Sequence, residues 1–387
     1  MENNLTNVLE KCDKREKIII VGAGLVGQEL YNILHRQNIK IYKVYDNSKE
    51  KIGELLGNIR ITVPQKDHDE SCLYIITTNR ANVRQSLYKQ LQELGIDKKN
   101  IDTYIPSLNY DIISSLKEEE YKDAISELFF RRFGYEMNWE NPKTYNEKIN
   151  WEKLNVKDPM RTRLADKYLV REWVKEQIGE EHLTNWYGVW NNAYDINFDE
   201  LPSQFVLKTN NGSARNIIVK DKTKLNIDET VKQLNMWKER NHAFVALELH
   251  YKDIEPKIIC EEYLEGLAEN VYDYNIYCFD GEPVYIWCIN GSHRVGCKAS
   301  FYDLNWKMQP FSYGYPKDPV EAPRPKDLDE MLHLSRILSK NFKHARVDWY
   351  NMPDGRVLFG EMTFATWAGL RKFEPKEYDA LFGDLIK

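Results

Sequence analysis

Apolar and polar positions along the chain switch between two periods, and the switches mark out the elements. Near the N-terminus, Lys17-Ile-Ile-Ile-Val-Gly22 is a short apolar run that passes into Gly22-Ala-Gly24-Leu-Val-Gly27 and then into helical spacing through Leu30, Ile33 and Leu34. Further strands are predicted over 39–45, closing on Asp46-Asn47, over 72–78 and near 101–105, with a helix over 82–94 stopped by Gly95. This is a βαβ opening with a GxGxxG and an acid 24 residues after its first glycine. Glycines at Gly22, Gly24 and Gly27 let a backbone approach a pyrophosphate at the helix N-terminus, and Asp46 is placed for a ribose diol. The same glycines equally serve close strand–helix packing. The four strands make roughly half of a dinucleotide-binding sheet.

A helical pattern with a polar, acidic start covers 111–133 and marks a domain boundary. Asn141-Pro-Lys-Thr144-Tyr-Asn-Glu147 reads as a capping box, which explains Thr144 and Glu147 without chemistry. One helix is predicted over 162–177, with Leu164, Tyr168, Val170, Trp173 and Val174 as its stripe; Lys167 and Arg171 lie four apart on one face beside Asp166. Residues 204–219 are two β-rich runs around a small polar loop holding Gly212, Ser213 and Arg215, with Lys208 at the end of the first run. Exposed N–H groups with cations beside them suit a phosphate, although no Walker A pattern is present; a hairpin with a basic rim has the same sequence. Glu261-Glu262-Tyr263-Leu264 then ends a strand, Asp273 begins a hairpin about Asp280-Gly281, Arg294 sits in a glycine-rich loop, and a helix covers 326–344.

That helix leads into Arg346-Val-Asp348 and Glu361-Met-Thr363, two predicted strands joined by Pro353-Asp354-Gly355. Side chains two apart on a strand share a face, so folding the hairpin brings two carboxylates, a hydroxyl and a guanidinium together. Carboxylates meeting across a hairpin repel unless a cation joins them, and oxygen ligands suit Mg²⁺. The alternative is a solvated face with one Arg–Asp pair.

Composition narrows the classes. With 387 residues, 42% hydrophobic content and a net charge of −6, the chain fits two or three globular domains and gives no basic surface for nucleic acid or membrane. Six cysteines without CxxC pairing read as buried thiols in a reducing cytosol, and the N-terminus lacks a signal-peptide pattern, so a cytoplasmic protein is expected. A homo-oligomer is compatible with all of this.

Residue wording now points to a family. Asn-Pro-Lys-Thr-Tyr-Asn-Glu-Lys-Ile-Asn-Trp (141–151), Ala-Asp-Lys-Tyr-Leu-Val-Arg (165–171), Asp-Tyr-Asn-Ile-Tyr-Cys-Phe-Asp-Gly (273–281) and Phe-Gly-Glu-Met-Thr-Phe (359–364) resemble the TupA-like, teichuronopeptide-type ATP-grasp proteins over 125–387. The first segment resembles the Rossmann-like modules of bacterial polysaccharide-biosynthesis proteins. The implied architecture is an α/β Rossmann-like domain over 1–108, a helical linker over 109–124, and an ATP-grasp fold of two α+β lobes over 125–387.

The resemblance implies a site. Lys167 and Lys208 reach ATP phosphates under the loop of Gly212, Ser213 and Arg215. Glu261, Glu262, Tyr263 and Leu264 hold the adenine, and Asp273 holds the ribose. Asp348 and Glu361, with Thr363 as the weakest ligand, hold two Mg²⁺, while Arg346 and Arg294 steady the phosphoryl group. Two departures stand out: Thr363 occupies a position that is commonly Asn in ATP-grasp enzymes, and Asn275 one that tends to be Lys in this branch. The implied chemistry is ADP-forming ligation of a sugar acid such as a uronate to a small amine or amino acid in surface-polysaccharide synthesis. A sugar-nucleotide-binding protein or glycosyltransferase, with a nucleotide or nucleotide-sugar at the N-terminal domain, is the alternative. An NAD-dependent oxidoreductase ranks third, since no second nucleotide half is seen.

Overall fold

The computed structural model describes residues 4–12, 14–66, 71–78, 81–104, 110–264, 272–290 and 297–387. The chain forms two compact units, Met1–Arg131 and Arg132–Lys387. Among the described residues no helix is long and apolar enough to cross a membrane.

In the first unit, α1 (Asn4–Cys12), β1 (Lys17–Val21), α2 (Leu25–Arg36), β2 (Ile41–Tyr45), β3 (Leu55–Leu56), β4 (Ile59–Thr62), β5 (Cys72–Thr77), α3 (Ala81–Glu93) and β6 (Ile101–Tyr104) follow in order. The strands form one sheet in the order β3-β4-β2-β1-β5-β6. All neighbours pair in parallel except β3 with β4. β1 and β5 are continuous apolar runs because both sheet faces are covered: Ile18 and Ile20 pack with Leu30 and Leu34, while Ile19 and Val21 pack with Leu87 and Leu91. The β3–β4 hairpin goes beyond the four strands expected, since a two-residue strand before Gly57-Asn58 offers no alternation to read. The helix expected over 111–133 is split into α4 (Tyr110–Ser114) and α5 (Tyr121–Phe133) by a short 3₁₀ turn.

The second unit opens with α6 (Tyr145–Asn155), whose capping box forms as expected. Thr144 Oγ1 accepts from the Glu147 N–H at 3.2 Å, and Glu147 Oε2 accepts from the Thr144 N–H at 3.1 Å. The single helix expected over 162–177 is two helices, α7 (Pro159–Ala165) and α8 (Leu169–Ile178). Asp166 causes the break: its carboxylate accepts from the N–H groups of Tyr168 and Leu169 and from Asn210 Nδ2, so it caps the second helix and ties the break to the next strand. Lys167 therefore lies between helices.

β7 (Trp186–Trp190), β8 (Phe205–Thr209), β9 (Asn216–Val219) and β10 (Ile258–Glu261) form an antiparallel sheet in the order β7-β10-β8-β9, with α9 (Ile227–Glu239) packed on it through Val231 and Leu234. A second sheet contains β11 (Tyr272–Phe279), β12 (Glu282–Asn290), β13 (Lys298–Tyr302) and, after the short β14 (Ser312–Tyr313), β15 (His344–Asn351) and β16 (Val357–Thr363). Its order is β13-β12-β11-β15-β16. Period-two alternation divides its faces: Ile276, Val347 and Trp349 join a core with the helix Leu328–Ser339, which leaves Asp273, Asn275, Arg346 and Asp348 on the opposite face. Cys12, Cys72, Cys260, Cys278 and Cys288 are buried and Cys297 is half-buried. Burial pushes the Cys260 and Cys278 thiols up to about 12.

Candidate active site

The β15–β16 hairpin forms as the sequence implied, with one added feature. Arg346 pairs with Thr363 and Val347 with Met362, but Trp349 pairs with Phe359, so β16 carries an extra residue in a bulge. Gly360 lies in it, where a Cβ would stand 3.1 Å from the Asp348 carbonyl oxygen. The bulge keeps Glu361 and Thr363 on the same side as Asp348 and Arg346. Arg346 donates from Nε to Asp348 Oδ1 at 2.7 Å and from Nη2 to Oδ2 at 2.5 Å, and Nη2 also reaches Glu361 Oε1 at 3.2 Å. Thr363 Oγ1 donates to Glu361 Oε1 at 3.2 Å. Lys167 Nζ stands 3.4 Å from Glu361 Oε2 and donates to the Gly212 carbonyl at 2.8 Å.

Electrostatics follow from this burial. Desolvation holds the Asp348 carboxyl above the ordinary carboxylate range while Arg346 pulls it the other way. For Glu361 burial also opposes the charge, but Lys167 and Arg346 outweigh it and hold the carboxyl below its usual range. Two carboxylates, Asp348 largely buried and Glu361 about one-third exposed (34%), are thus balanced by two protein cations. Their oxygen donors suit a hard divalent ion, which would compete with those cations for the same charge.

A cleft runs from this hairpin to the first sheet, lined by Lys167, Arg171, Thr184, Lys208, Glu261, Glu262, Tyr263, Leu264, Asp273, Tyr350, Phe359, Gly360 and Glu361. The structure therefore gathers most of the expected residues from six separate stretches. Lys208 and Glu261 are ion-paired across β8 and β10. The Glu262 side chain is engaged by Arg356 and Asn185, and its N–H donates to the Asn185 carbonyl. Asp273 raises the proton affinity of Tyr350 across the β11–β15 pairing. Thr184 joins the cleft without a local sequence signal. Arg171, expected on one helix face with Lys167, stands in α8 beyond the break: it lies 4.3 Å over the Trp186 ring, bonds Thr184, and is pushed down to about 10 by burial.

Other expectations land elsewhere. Arg215 donates to the Trp237 and Arg240 carbonyls at the end of α9, so its guanidinium caps a helix and does not lie among the residues lining the cleft. Ser213 is exposed in the loop. Arg294 lies outside the described residues.

The first unit has its own cavity of about 420 Å³, lined by Gly22, Gly24, Asp46, Asn47, Lys51, Thr77 and Thr78 among others. Gly22 has φ +114°, and a Cβ there would meet the Thr77 carbonyl oxygen at 2.7 Å; a Cβ on Gly27 would meet the Gly22 carbonyl oxygen at 1.9 Å. Both glycines are required by packing. A Cβ on Gly24 would make only an ordinary contact, with Lys51 Nζ at 3.6 Å, so packing does not require glycine there. Asp46, expected at a ribose, accepts from the N–H groups of Ala23 and Ser48 at 2.7 and 2.8 Å and holds the glycine loop in shape.

Comparison with known proteins agrees with the ATP-grasp likeness of the second unit and does not show the Rossmann-like one of the first. Residues 14–102 match the family described as C2185-like, N-terminal. No curated protein matches the chain. Among solved structures it is similar to N5-carboxyaminoimidazole synthase from Aspergillus clavatus (12% identity, 91% of this chain and 70% of that one, TM-score 0.33). It is also similar to an L-amino acid ligase from Bacillus licheniformis (13%, 90% and 68%, 0.35) and to D-alanine–D-alanine ligase from Bacillus anthracis (15%, 90% and 85%, 0.33). These likenesses are distant, and the assignment stands on the family match over residues 147–387, which spans well over half of the chain: it belongs to the TupA-like ATP-grasp family.

Proposed function

We propose that the protein is an ATP-dependent, ADP-forming carboxylate–amine ligase. The observation that carries this reading is a cleft lined by Lys167, Lys208, Glu261, Asp273 and Glu361, in which Lys167 meets Glu361 and Lys208 meets Glu261, beside the hairpin where Arg346 holds both Asp348 and Glu361. A carboxylate does not react with an amine because its leaving group would be oxide. In the proposed reaction a carboxylate oxygen of the acid attacks the γ-phosphorus of ATP, the bond to the β-phosphate oxygen breaks, and ADP leaves. The amine nitrogen then attacks the acyl carbon, phosphate departs, and the nitrogen loses a proton.

Lys167 and Lys208 bind phosphate oxygens, and the loop containing Gly212 and Ser213 covers them and excludes water from the acyl phosphate. Asp348, Glu361 and Thr363 would hold Mg²⁺, which supplies charge neutralisation along the phosphates. Arg346, which holds Asp348 and Glu361 in the structure, would steady the transferred phosphoryl group. Glu261 parts from Lys208 to meet the adenosine, alongside the Glu262 carbonyl, Tyr263 and Leu264, and Asp273 takes the ribose hydroxyls.

The acid is a sugar acid such as a uronate and the partner a small amine or amino acid, in surface-polysaccharide synthesis; the family resemblance supports this choice. The test is ADP release in a matrix of uronates against amines. Binding of Mg-ATP without acid- and amine-dependent ADP would sink the ligase reading. A second reading, supported by the cavity that Gly22, Gly24 and Asp46 line, places a nucleotide or nucleotide-sugar in the first unit. It predicts calorimetric binding of a nucleotide-sugar that survives Asp348→Ala.

A further inference from the structure

We infer that Asn275 supplies a further protein oxygen, besides those of Asp348, Glu361 and Thr363, for an oxygen-preferring divalent cation at the β15–β16 hairpin. This rests on the hairpin being a metal–nucleotide site, and it adds a ligand at the position where the family resemblance leads one to expect a lysine.

Asn275 lies on β11 directly opposite Asp348 of β15. Residues directly opposite in an antiparallel pair project from the same face with Cβ atoms roughly 4.5–5.5 Å apart. Asn and Asp side chains have the same length and branching, so their terminal oxygens reach the same height above the sheet and can converge on one ion.

Three observations then select the ligand. Asn275 is only 3% exposed, yet its Oδ1 has no hydrogen-bond partner. A buried amide oxygen without a donor is costly, and an amide oxygen is satisfied by a cation or by an N–H or O–H group. The two cations of the site are already engaged: Arg346 on Asp348, Glu361 and Thr366, and Lys167 on Gly212 and Glu361. Finally, among the described residues no group of three or more His, Cys, Asp or Glu side chains forms a metal cage. The hairpin offers two carboxylates and a threonine hydroxyl that donates to one of them. Asn275 brings a neutral oxygen to a face that also bears Asp273, Asp348 and Glu361, where the field favours a cation over an amine's lone pair. Amide oxygens are ordinary ligands of hard cations.

The test is Mn²⁺ binding to the full chain in the presence of ADP, read from the electron paramagnetic resonance signal of the unbound ion, with no turnover required. Asn275→Leu keeps the branching and removes the oxygen; Asn275→Ala removes the group without added bulk, should leucine be too large to fold. Either variant is expected to lose about tenfold or more in Mn²⁺ affinity, with its melting temperature equal to or above the wild type and metal-free ADP binding unchanged. Affinity within twofold of wild type in a folded variant overturns the inference, most directly if the KM of the amine substrate rises instead, since the amide would then face that substrate. A wild-type protein that binds no Mn²⁺ with ADP overturns both this inference and the metal–nucleotide reading beneath it.

Discussion

The glycine loop after β1 and the β15–β16 hairpin both gather polar groups at the end of a strand, but they hold them differently. In the loop, Gly22 and Gly27 are committed to backbone contacts with Thr77 and with each other, and Asp46 accepts from the loop's Ala23 N–H and from the Ser48 N–H. In the hairpin, Asp348 and Glu361 are held by the side-chain cations Arg346 and Lys167, which can swing away on flexible stems. The more conspicuous motif is the more structural one, and the less conspicuous cluster keeps groups that can be exchanged for a ligand.

Substitution can sharpen that contrast. The largest effect is expected at the hairpin: Asp348→Ala or Glu361→Ala should lower ATP-dependent turnover by about 10³-fold, roughly 4 kcal/mol of transition-state stabilisation, with little change in far-UV circular dichroism. Near-normal rates in both variants would remove the basis of the contrast.

At the base of the same hairpin, His344 is fully buried. Its ring nitrogens meet the Tyr145 hydroxyl at 2.9 Å and the Cys278 carbonyl at 3.1 Å, which the Nδ1–H tautomer satisfies. Burial pushes its pKa down to about 3 from an ordinary 6.5. The unfolded chain therefore takes up the proton first, and stability is lost as pH falls from 6.5 toward 3. Between pH 7.5 and 5 the loss from this group should be about 2 kcal/mol. Denaturant unfolding of wild type against His344→Gln at the two pH values isolates it, and a parallel loss in both proteins would refute it.

Effects in the first unit are smaller and fall on stability. Gly27→Ala must move α2 away from the Gly22 carbonyl; helix propensity returns about 1 kcal/mol, so a net loss of about 1–2 kcal/mol is expected in thermal or denaturant unfolding. Gly24→Ala, whose Cβ would make only an ordinary contact with the Lys51 side chain, should stay within about 0.5 kcal/mol of wild type. Equal costs at the two positions would mean that the loop is packed throughout.

Much of this was legible from residue order. Alternation and the Pro353–Asp354–Gly355 turn placed Arg346, Asp348, Glu361 and Thr363 on one face, and apolar runs located β1, β2, β5 and β6. What escaped depended on tertiary bonds. The break at Asp166 needs Asn210, forty-four residues away, to hold it, and without that break Lys167 would ride on a helix face. Arg215 looked like a phosphate ligand until the end of α9 arrived to accept from it. The extra residue at Gly360 cannot be seen until β15 and β16 are paired.

The distribution of sulfur has a practical consequence. Because five of the six cysteines are buried, and burial suppresses the thiolate of Cys260, Cys278 and Cys288, chemical modification under native conditions is directed to Cys297. That residue lies just before β13 of the sheet that carries Asp273 and Asp348. The wild-type chain thus provides its own attachment point for a fluorophore or spin label that watches the sheet during ligand binding, without any engineered cysteine.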